Sequence, residues 1–316
     1  MKTIANRMDW MDWEKCIAIF LVVYGHMRSP FMSYIFAFHM PFFFIISGFL
    51  QKRRSWKDEL TNSIKRLLIP YVLFNIYLLI YSYFTGEYES DYPMSMLLGL
   101  QWNLSMACRP LWFLWALFFC RLLYTALPRK TAKLMSLPFI LLCYFANGTP
   151  FMKPETDYFQ LWTAVECYPF FALGAWMKDH WYRVRMENFM PLLRYLILLG
   201  FFGLGAWLTT RNGSVNIFRC HPGDNALLFY ASATLMSVSL FCLIHHLFNF
   251  ANASVRTISE GTLLIFAVHQ SILWPMHEAL SHGLVTFFVA IGLLCVFRAI
   301  LPVFEQFAPV LIGKWK

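Results

Sequence analysis

Long apolar stretches recur from one end of the chain to the other, and they restrict the fold more than any other feature. About 20 apolar residues are enough for a helix to cross the hydrocarbon core of a bilayer. We identify ten candidate helices, at 12–28, 33–50, 65–84, 108–127, 134–147, 160–178, 191–210, 226–249, 260–277 and 283–304. The fifth is short for a full crossing. Since a backbone in lipid must satisfy its hydrogen bonds internally, we predict an all-α, polytopic transmembrane helical bundle of about ten spans.

Composition supports this fold class. The 316 residues are 59% hydrophobic and only 14% charged, whereas soluble domains carry about 25% charged residues. No polar stretch is long enough to build a soluble domain, so we predict that residues 1–316 form a single transmembrane domain. The first apolar run follows the segment "MDWMDWEK" and lacks a small-residue cleavage site, so it is interpreted as the first span and not as a signal peptide.

The positive charge is distributed by loop. The net charge of +9 is compatible with nucleic-acid binding, but Lys and Arg concentrate in "QKRRSWKDE", "PRKTAK" and "KDHWYRVRMEN". The alternate loops, such as "TGEYESDYP" and "RNGSVNIFRCHPGDN", contain fewer. By the positive-inside rule the first set is cytoplasmic, which places both termini in the cytoplasm. We therefore expect membrane lipids and no nucleic acid as partners.

The eight cysteines show no metal-binding spacing. Cys108 and Cys220 both fall near the predicted outer face, and a disulfide between them is a hypothesis that applies if that face is oxidising. With no third ligand near the histidines described next, we predict no metal site.

Titratable side chains interrupt the first two apolar runs. Lys15 and His26 are eleven residues apart, which is about three helical turns and ~16 Å, so both lie on one face. Lys15 is then near the inner surface and His26 in the outer half of the membrane. His39 follows after a short outer turn and is expected at a similar depth. Such groups mark functional pathways, although a lone histidine can also serve only as a hydrogen-bond donor between helices.

Further candidate residues lie at the two membrane surfaces. Lys65 and Arg66 open the predicted third helix, where they could bind the phosphates of a cytosolic, nucleotide-like donor. Arg109, at the outer boundary of the fourth span, could bind an anionic or sugar acceptor. Trp112 could stack on a sugar ring, although tryptophan also concentrates at membrane interfaces. His269 is a third histidine within a predicted span.

These residues lie in segments that resemble the acyltransferase-3 family of membrane proteins. That family has a basic residue, ten intervening positions and a histidine, which here are Lys15 and His26. "FHMPFFFIISGF", which contains His39, resembles its next block, and "KRLLIPY", "PLWFLWALFF", "YPFFALGAWMK" and "TLLIFAVHQSIL" resemble later ones. The ordered set covers nearly the whole chain. One departure is that many members have two arginines three residues apart, where this chain has Ser63 and Arg66.

The resemblance implies an O-acyltransferase of a bacterial inner membrane. It would move an acyl group, usually acetyl, from acetyl-CoA to a hydroxyl of a surface glycan or a lipid-linked sugar. Acyl-CoA would be a co-substrate, with no permanently bound cofactor. The implied catalytic residues are His26, as general base, and His39, which orients it, polarises the carbonyl or is itself the base. Lys15, Lys65 and Arg66 would bind the donor phosphates. The residues expected to contact the acceptor are Arg109, Trp112 and His269.

Two other functions are compatible with parts of the pattern. A proton-coupled transporter or exporter also needs titratable groups within its spans, but this chain has no internal repeat and few intramembrane carboxylates. A glycan ligase or polymerase that uses a lipid-linked donor would be expected to have larger outer loops. The acyltransferase interpretation is therefore preferred.

Overall fold

Helices form almost all of the regular structure. The computed structural model describes residues 8–27, 29–276 and 283–315. Within these ranges there is no β-strand, and an isolated β-bridge joins Asn216 and His221. The α-helices are α1 (Asp9–Gly25), α2 (Met32–Leu50), α3 (Trp56–Ser63), α4 (Ile69–Thr85), α5 (Tyr92–Leu97), α6 (Trp112–Ala126), α7 (Arg129–Leu134), α8 (Ser136–Ala146), α9 (Leu161–Asp179), α10 (Trp181–Val184), α11 (Pro191–Arg211), α12 (Ala226–Leu247), α13 (Ala253–Glu260), α14 (Thr262–Met276) and α15 (Leu284–Phe307). The all-α prediction is confirmed.

Five of the described helical segments are long and apolar enough to cross a membrane. They are Met32–Leu50, Trp56–Thr85, Pro191–Arg211, Ala226–Leu247 and Val285–Phe307. Others are shorter: α1 has 17 residues and α14 has 15, which at ~1.5 Å per residue is less than the ~30 Å hydrocarbon core. The count of ten spans and the cytoplasmic termini stay predictions, and residues 1–7 and 316 lie outside the described ranges.

Two predicted helix boundaries near candidate residues are wrong. The third helix begins at Trp56 and continues from α3 through a π-helical turn, Ile64–Leu68, into α4. Lys65 and Arg66 therefore lie in the middle of a long helix and do not open it. At the first span, α1 ends at Gly25, so the His26 side chain projects from the C-terminal end of the helix and not from its interior.

Helix α2 lies at the centre of the bundle, and 72% of its most apolar 18-residue segment is buried. It packs closely on α9 because each helix presents a glycine to the other's backbone. A Cβ on Gly48 would overlap the carbonyl oxygen of Phe171, and a Cβ on Gly174 would overlap that of Ile45. Small residues permit such close approach between membrane helices. The α2–α9 pair is thus in backbone contact over about one turn on each helix.

Helices α11 and α15 are peripheral. Only 17% of the most apolar 18-residue segment of α11 is buried. For the corresponding segment of Val285–Phe307 the buried share is 22%. Their exposed side chains are large and apolar, including Leu196, Phe201 and Phe288. Such surfaces suit lipid, which places these two helices at the outside of the bundle.

Candidate active site

Three histidines, two within helices and one directly after a helix, form a cluster. His26 follows the last residue of α1, His39 lies in α2 and His269 in α14. The ring centroid of His26 is 5.1 Å from that of His269 and 6.3 Å from that of His39. The α1–α2 hairpin brings the first two together, as the sequence predicts. The third arrives from a distant part of the chain, so His26 stands between two other imidazoles.

Each imidazole is held through the same ring nitrogen. Nδ1 donates to a main-chain carbonyl one turn earlier, at 2.8 Å (His26 to Val22), 2.7 Å (His39 to Ile35) and 2.8 Å (His269 to Phe266). A carbonyl oxygen only accepts, so Nδ1 carries the proton and the neutral ring has its lone pair on Nε2. The Nε2 atom of His269 is buried and has no hydrogen-bond partner among the described residues. The three rings therefore present bases and not N–H donors.

A cavity of about 210 Å³ adjoins all three histidines. This is below the ~300–1,000 Å³ of sites that hold a whole drug-sized ligand, so it suits the reacting end of a larger molecule. Its other polar and aromatic lining residues are Phe36, Trp102, Arg109, Trp112, Asn216, Phe218, Arg219, Phe266 and Gln270. Five residues predicted from the sequence thus lie around one cavity: His26, His39, Arg109, Trp112 and His269.

Part of the cavity wall is aromatic. Trp112, at the start of α6, stacks on Phe218 with ring centroids 6.5 Å apart and an interplanar angle of 24°. Trp102 lies 5.6 Å from the same phenyl ring. Aromatic faces of this kind bind the apolar face of a sugar ring through dispersion and C–H contacts. The wall therefore suits a glycan end.

Sequence reasoning missed Trp102, Arg219 and Gln270 as lining residues. Trp102 and Arg219 lie in short 3₁₀ turns far apart in the chain, with no periodic pattern to mark them. The available signal was topological, because both loops were assigned to the outer face. Gln270 directly follows His269, and its buried Oε1 has no hydrogen-bond partner within the described part of the chain.

The predicted donor-binding residues lie away from this cavity. Lys15, Lys65 and Arg66 are not among its lining residues. The main-chain oxygen of Lys65 accepts a hydrogen bond of 2.9 Å from the Trp315 indole, which ties the π-helical turn to the C-terminal segment. The structure does not bring these three cations to the histidines.

A second cavity, of about 500 Å³, collects cations at the predicted inner face. It lies at the C-terminal ends of α2 and α9. Its basic lining residues are Lys52, Arg53, Arg54, Arg129 and Lys178. Beside it, the fully buried Glu59 pairs with Arg121 at 2.8 Å and Arg54 at 3.4 Å, and accepts a hydrogen bond of 2.9 Å from Ser63.

The disulfide hypothesis is wrong. Cys108 and Cys220 are both free and buried, and they lie in different hydrophobic clusters. The Sγ atom of Cys220 is 3.9 Å from an Asp157 carboxylate oxygen. Burial, and then the Asp157 charge, raise the pKa of the Cys220 thiol. Across residues 8–27, 29–276 and 283–315, no group of three or more His, Cys, Asp or Glu is arranged to hold a metal ion.

These features define an all-helical integral membrane protein with a buried histidine site. The family profile described as an acyltransferase domain, acyltransferase-3, matches residues 8–303. The chain therefore belongs to the acyltransferase-3 family and is a membrane acyltransferase. It is similar to the nodulation protein NolL of Mesorhizobium japonicum, with 26% identity over 302 residues that cover 84% of this chain and 77% of the relative. No solved structure matches it.

Proposed function

We propose that the protein transfers an acyl group, acetyl in the simplest case, from cytosolic acyl-CoA to a hydroxyl of a surface glycan or a lipid-linked sugar. The membrane would be the inner membrane of a bacterium, in keeping with the positive-inside pattern and the Mesorhizobium relative. The observation that carries the proposal is that three imidazole bases and several aromatic side chains line one cavity. Family membership supplies the reaction class, and the cavity supplies a base and a place for a sugar.

In this proposal His26 is the general base, because it is the middle ring of the three. Its Nε2 takes the proton of the acceptor hydroxyl as the oxygen attacks the thioester carbonyl. The new C–O bond forms, the C–S bond breaks and the CoA thiolate leaves with the bonding pair. The imidazolium of His26 then protonates the thiolate, so the products are the ester and free CoA and the ring is neutral again.

His39 and His269 are assigned supporting roles. Each has an Nε2 lone pair close to the His26 ring and can accept a hydrogen bond from the acceptor or from the transient imidazolium. The positive charge of an imidazolium is more stable beside the lone pairs of two neutral imidazoles than it would be if only hydrocarbon surrounded it. We place His39 with the catalytic group and His269 at the acceptor, as the sequence predicts.

The donor would bind from the opposite side of the bundle. Gln51, in the basic cavity, is twelve residues beyond His39, which is ~18 Å along the helix axis. An extended phosphopantetheine arm is of this order of length. We therefore propose that the phosphates of acyl-CoA bind at the inner face, either in the cavity around Arg53 or at the predicted residues Lys15, Lys65 and Arg66. Acyl-CoA is consumed in the reaction and needs no permanent cofactor.

The test of the base is transfer of label from radioactive acetyl-CoA to glycan in membranes that contain the protein. Replacing His26→Ala should lower the transfer rate by about 10²-fold or more, because the proton of the hydroxyl then has no base. His180→Ala is the matched control, since that imidazole also donates from Nδ1 to a carbonyl one turn earlier but lies outside the cavity. Near-normal transfer by a folded His26 variant would contradict the assignment, and sugar flux without label would favour transport.

A further inference from the structure

Two arginines from separate loops converge on one tryptophan at the mouth of the histidine cavity. The guanidinium carbon of Arg109 lies 4.7 Å from the ring centroid of Trp102, and that of Arg219 lies 5.2 Å from it. All three residues line the cavity. Arg109 precedes α6, whereas Arg219 belongs to the loop between α11 and α12. The fold therefore brings two cations together that the sequence keeps apart.

Among the described residues, this pair of cations has no carboxylate in direct contact. Neither Arg109 nor Arg219 forms an ion pair with a described carboxylate. Arg109 donates instead to neutral acceptors, the carbonyl oxygen of Leu104 at 3.4 Å and the sulfur of Met106 at 2.7 Å. The Glu87 carboxylate attracts Arg109 electrostatically without forming an ion pair with it, and its Oε1 accepts a hydrogen bond of 2.9 Å from Trp274.

Like charges at this separation repel each other. Since both cations lie within about 5 Å of the same indole, they are no further apart than those two distances together. That is comparable to the screening length of ~8 Å in physiological salt, so solvent ions remove only part of the repulsion. Stacking on the indole offsets some of the cost. An oxyanion between the two guanidinium groups would remove the rest and form charge-assisted hydrogen bonds with both.

We propose that the acceptor carries an anionic group, a carboxylate or a phosphate, which binds between Arg109 and Arg219. The sugar that bears this group would lie along the aromatic part of the cavity wall, with one of its hydroxyls directed at the histidines. This inference rests on the proposed acyl transfer for the identity of the ligand as an acceptor. It adds the chemical class of that acceptor, because an uncharged glycan would leave the two cations unpaired.

The competing occupant of this pair is the donor, since CoA also carries phosphates. Two observations favour the acceptor. Arg109 and Arg219 lie in the loops that the positive-inside rule assigns to the outer face. A separate basic cavity, around Arg53 and Lys178, lies at the end of α2 that is remote from the histidines. Each charged ligand can therefore have its own site.

Binding can be measured without any acyl donor, in the full-length protein in nanodiscs of uncharged phosphatidylcholine. The probes are methyl glucoside, methyl glucuronide and methyl glucoside 6-phosphate, which differ only at carbon 6. We expect one or both anionic probes to bind about tenfold more tightly than the neutral one, in keeping with charge-assisted hydrogen bonds. Comparison of the two anionic probes distinguishes a carboxylate from a phosphate.

Variants locate the effect. Arg219→Gln and Arg109→Gln should each abolish most of the preference for the anionic probe, and Arg219→Lys should restore part of it. Arg211→Gln is the matched control, because Arg211 also stacks on a tryptophan, Trp207, near the same loop but does not line the cavity. It should leave the preference unchanged.

Several outcomes would overturn the proposal. Equal binding of all three probes would overturn it. An equal loss of the preference for the anionic probe in the Arg211→Gln control would also overturn it. Binding of adenosine 3′,5′-bisphosphate that depends on Arg219 would assign the pair to the donor. Charge-selective binding without any acyl transfer would contradict the proposed reaction and leave the anion site standing. Acyl transfer without charge-selective binding would contradict the anion site and leave the proposed reaction standing.

Discussion

At the scale of single residues, each histidine at the cavity has one ring nitrogen, Nδ1, that is hydrogen-bonded to the main chain, and a second, Nε2, to which we assign the proposed chemistry. The buried ring of His39 is oriented by its Nδ1 bond to Ile35, and its Nε2 is left for chemistry. The two amide residues imitate these atoms separately, because the amide group of Asn lies near Nδ1 and that of Gln lies near Nε2. The pair of substitutions can therefore separate orientation from reactivity.

We expect His39→Asn to retain the melting temperature of the wild type, since the bond to Ile35 can re-form, but to lower the rate of acyl transfer by about tenfold or more. His39→Gln should lower the melting temperature, because a buried carbonyl loses its donor at a cost of about 1–3 kcal/mol. Its residual rate should exceed that of the Asn variant. Thermal unfolding and single-turnover transfer check the pair, and identical behaviour of both variants would refute the separation.

The sequence predicts part of this site because part of it is local. His26 and His39 belong to one helical hairpin, so their spacing along the chain determines that they meet. His269 and Arg219 join them through the packing of helices far apart in the sequence, which periodicity does not report. Arg121 is a similar case: it supplies a guanidinium to Glu59 beside Ser63, close to a position where many family members carry arginine.

At the scale of helices, the α2–α9 contact depends on two glycines. Gly48→Ala or Gly174→Ala would place a methyl group on a carbonyl oxygen of the partner helix. Overpacking of this kind costs about 1–3 kcal/mol, so we expect a lower melting temperature for each variant. Gly200→Ala and Gly203→Ala are the controls, because their Cβ atoms would meet nothing within 4 Å. The prediction fails if all four variants melt alike.

Helix boundaries were predictable to different degrees. The early start of α3 has a local sequence signal that the prediction did not use, namely a serine followed three residues later by an acidic residue. In the structure the Ser55 hydroxyl accepts a hydrogen bond of 3.1 Å from the Asp58 amide, as an N-cap does. The π-helical turn Ile64–Leu68 has no capping signal of this kind. At Gly25, where α1 ends, the helix packs closely on α2, since a Cβ there would lie 2.9 Å from the Ile35 side chain.

At the scale of the whole molecule, the orientation in the membrane can be tested with single cysteines in a cysteine-free chain. Ser214→Cys lies in the loop between α11 and α12, and Lys130→Cys in the basic segment at α7. A membrane-impermeant maleimide added to intact cells should label the first and not the second, because the positive-inside rule places them on opposite faces. The reverse pattern would invert the proposed donor and acceptor sides.

The two cavities make a second prediction at this scale. Arg53→Gln and Lys178→Gln should raise the KM for acyl-CoA about five- to tenfold and leave kcat nearly unchanged, because they remove uniform binding of a remote phosphate. Lys130→Gln is the control, being exposed on the same face and outside the cavity lining. A rise in KM only for Lys15, Lys65 or Arg66 variants would locate the donor phosphates there instead.

The way in which the three imidazoles are held also bears on how the enzyme would let its product go. The single N–H of each neutral ring donates a hydrogen bond to a main-chain oxygen, so the ring can only accept a hydrogen bond from a ligand. A ligand with a hydroxyl group can donate that hydrogen bond. Once that hydroxyl has become an ester, the product has no hydrogen-bond donor at the same point. The Nε2 lone pair then faces an ester oxygen, which is also an acceptor. Acylation would thus convert a matched ligand into a mismatched one, and the chemical step itself would favour dissociation and the next turnover.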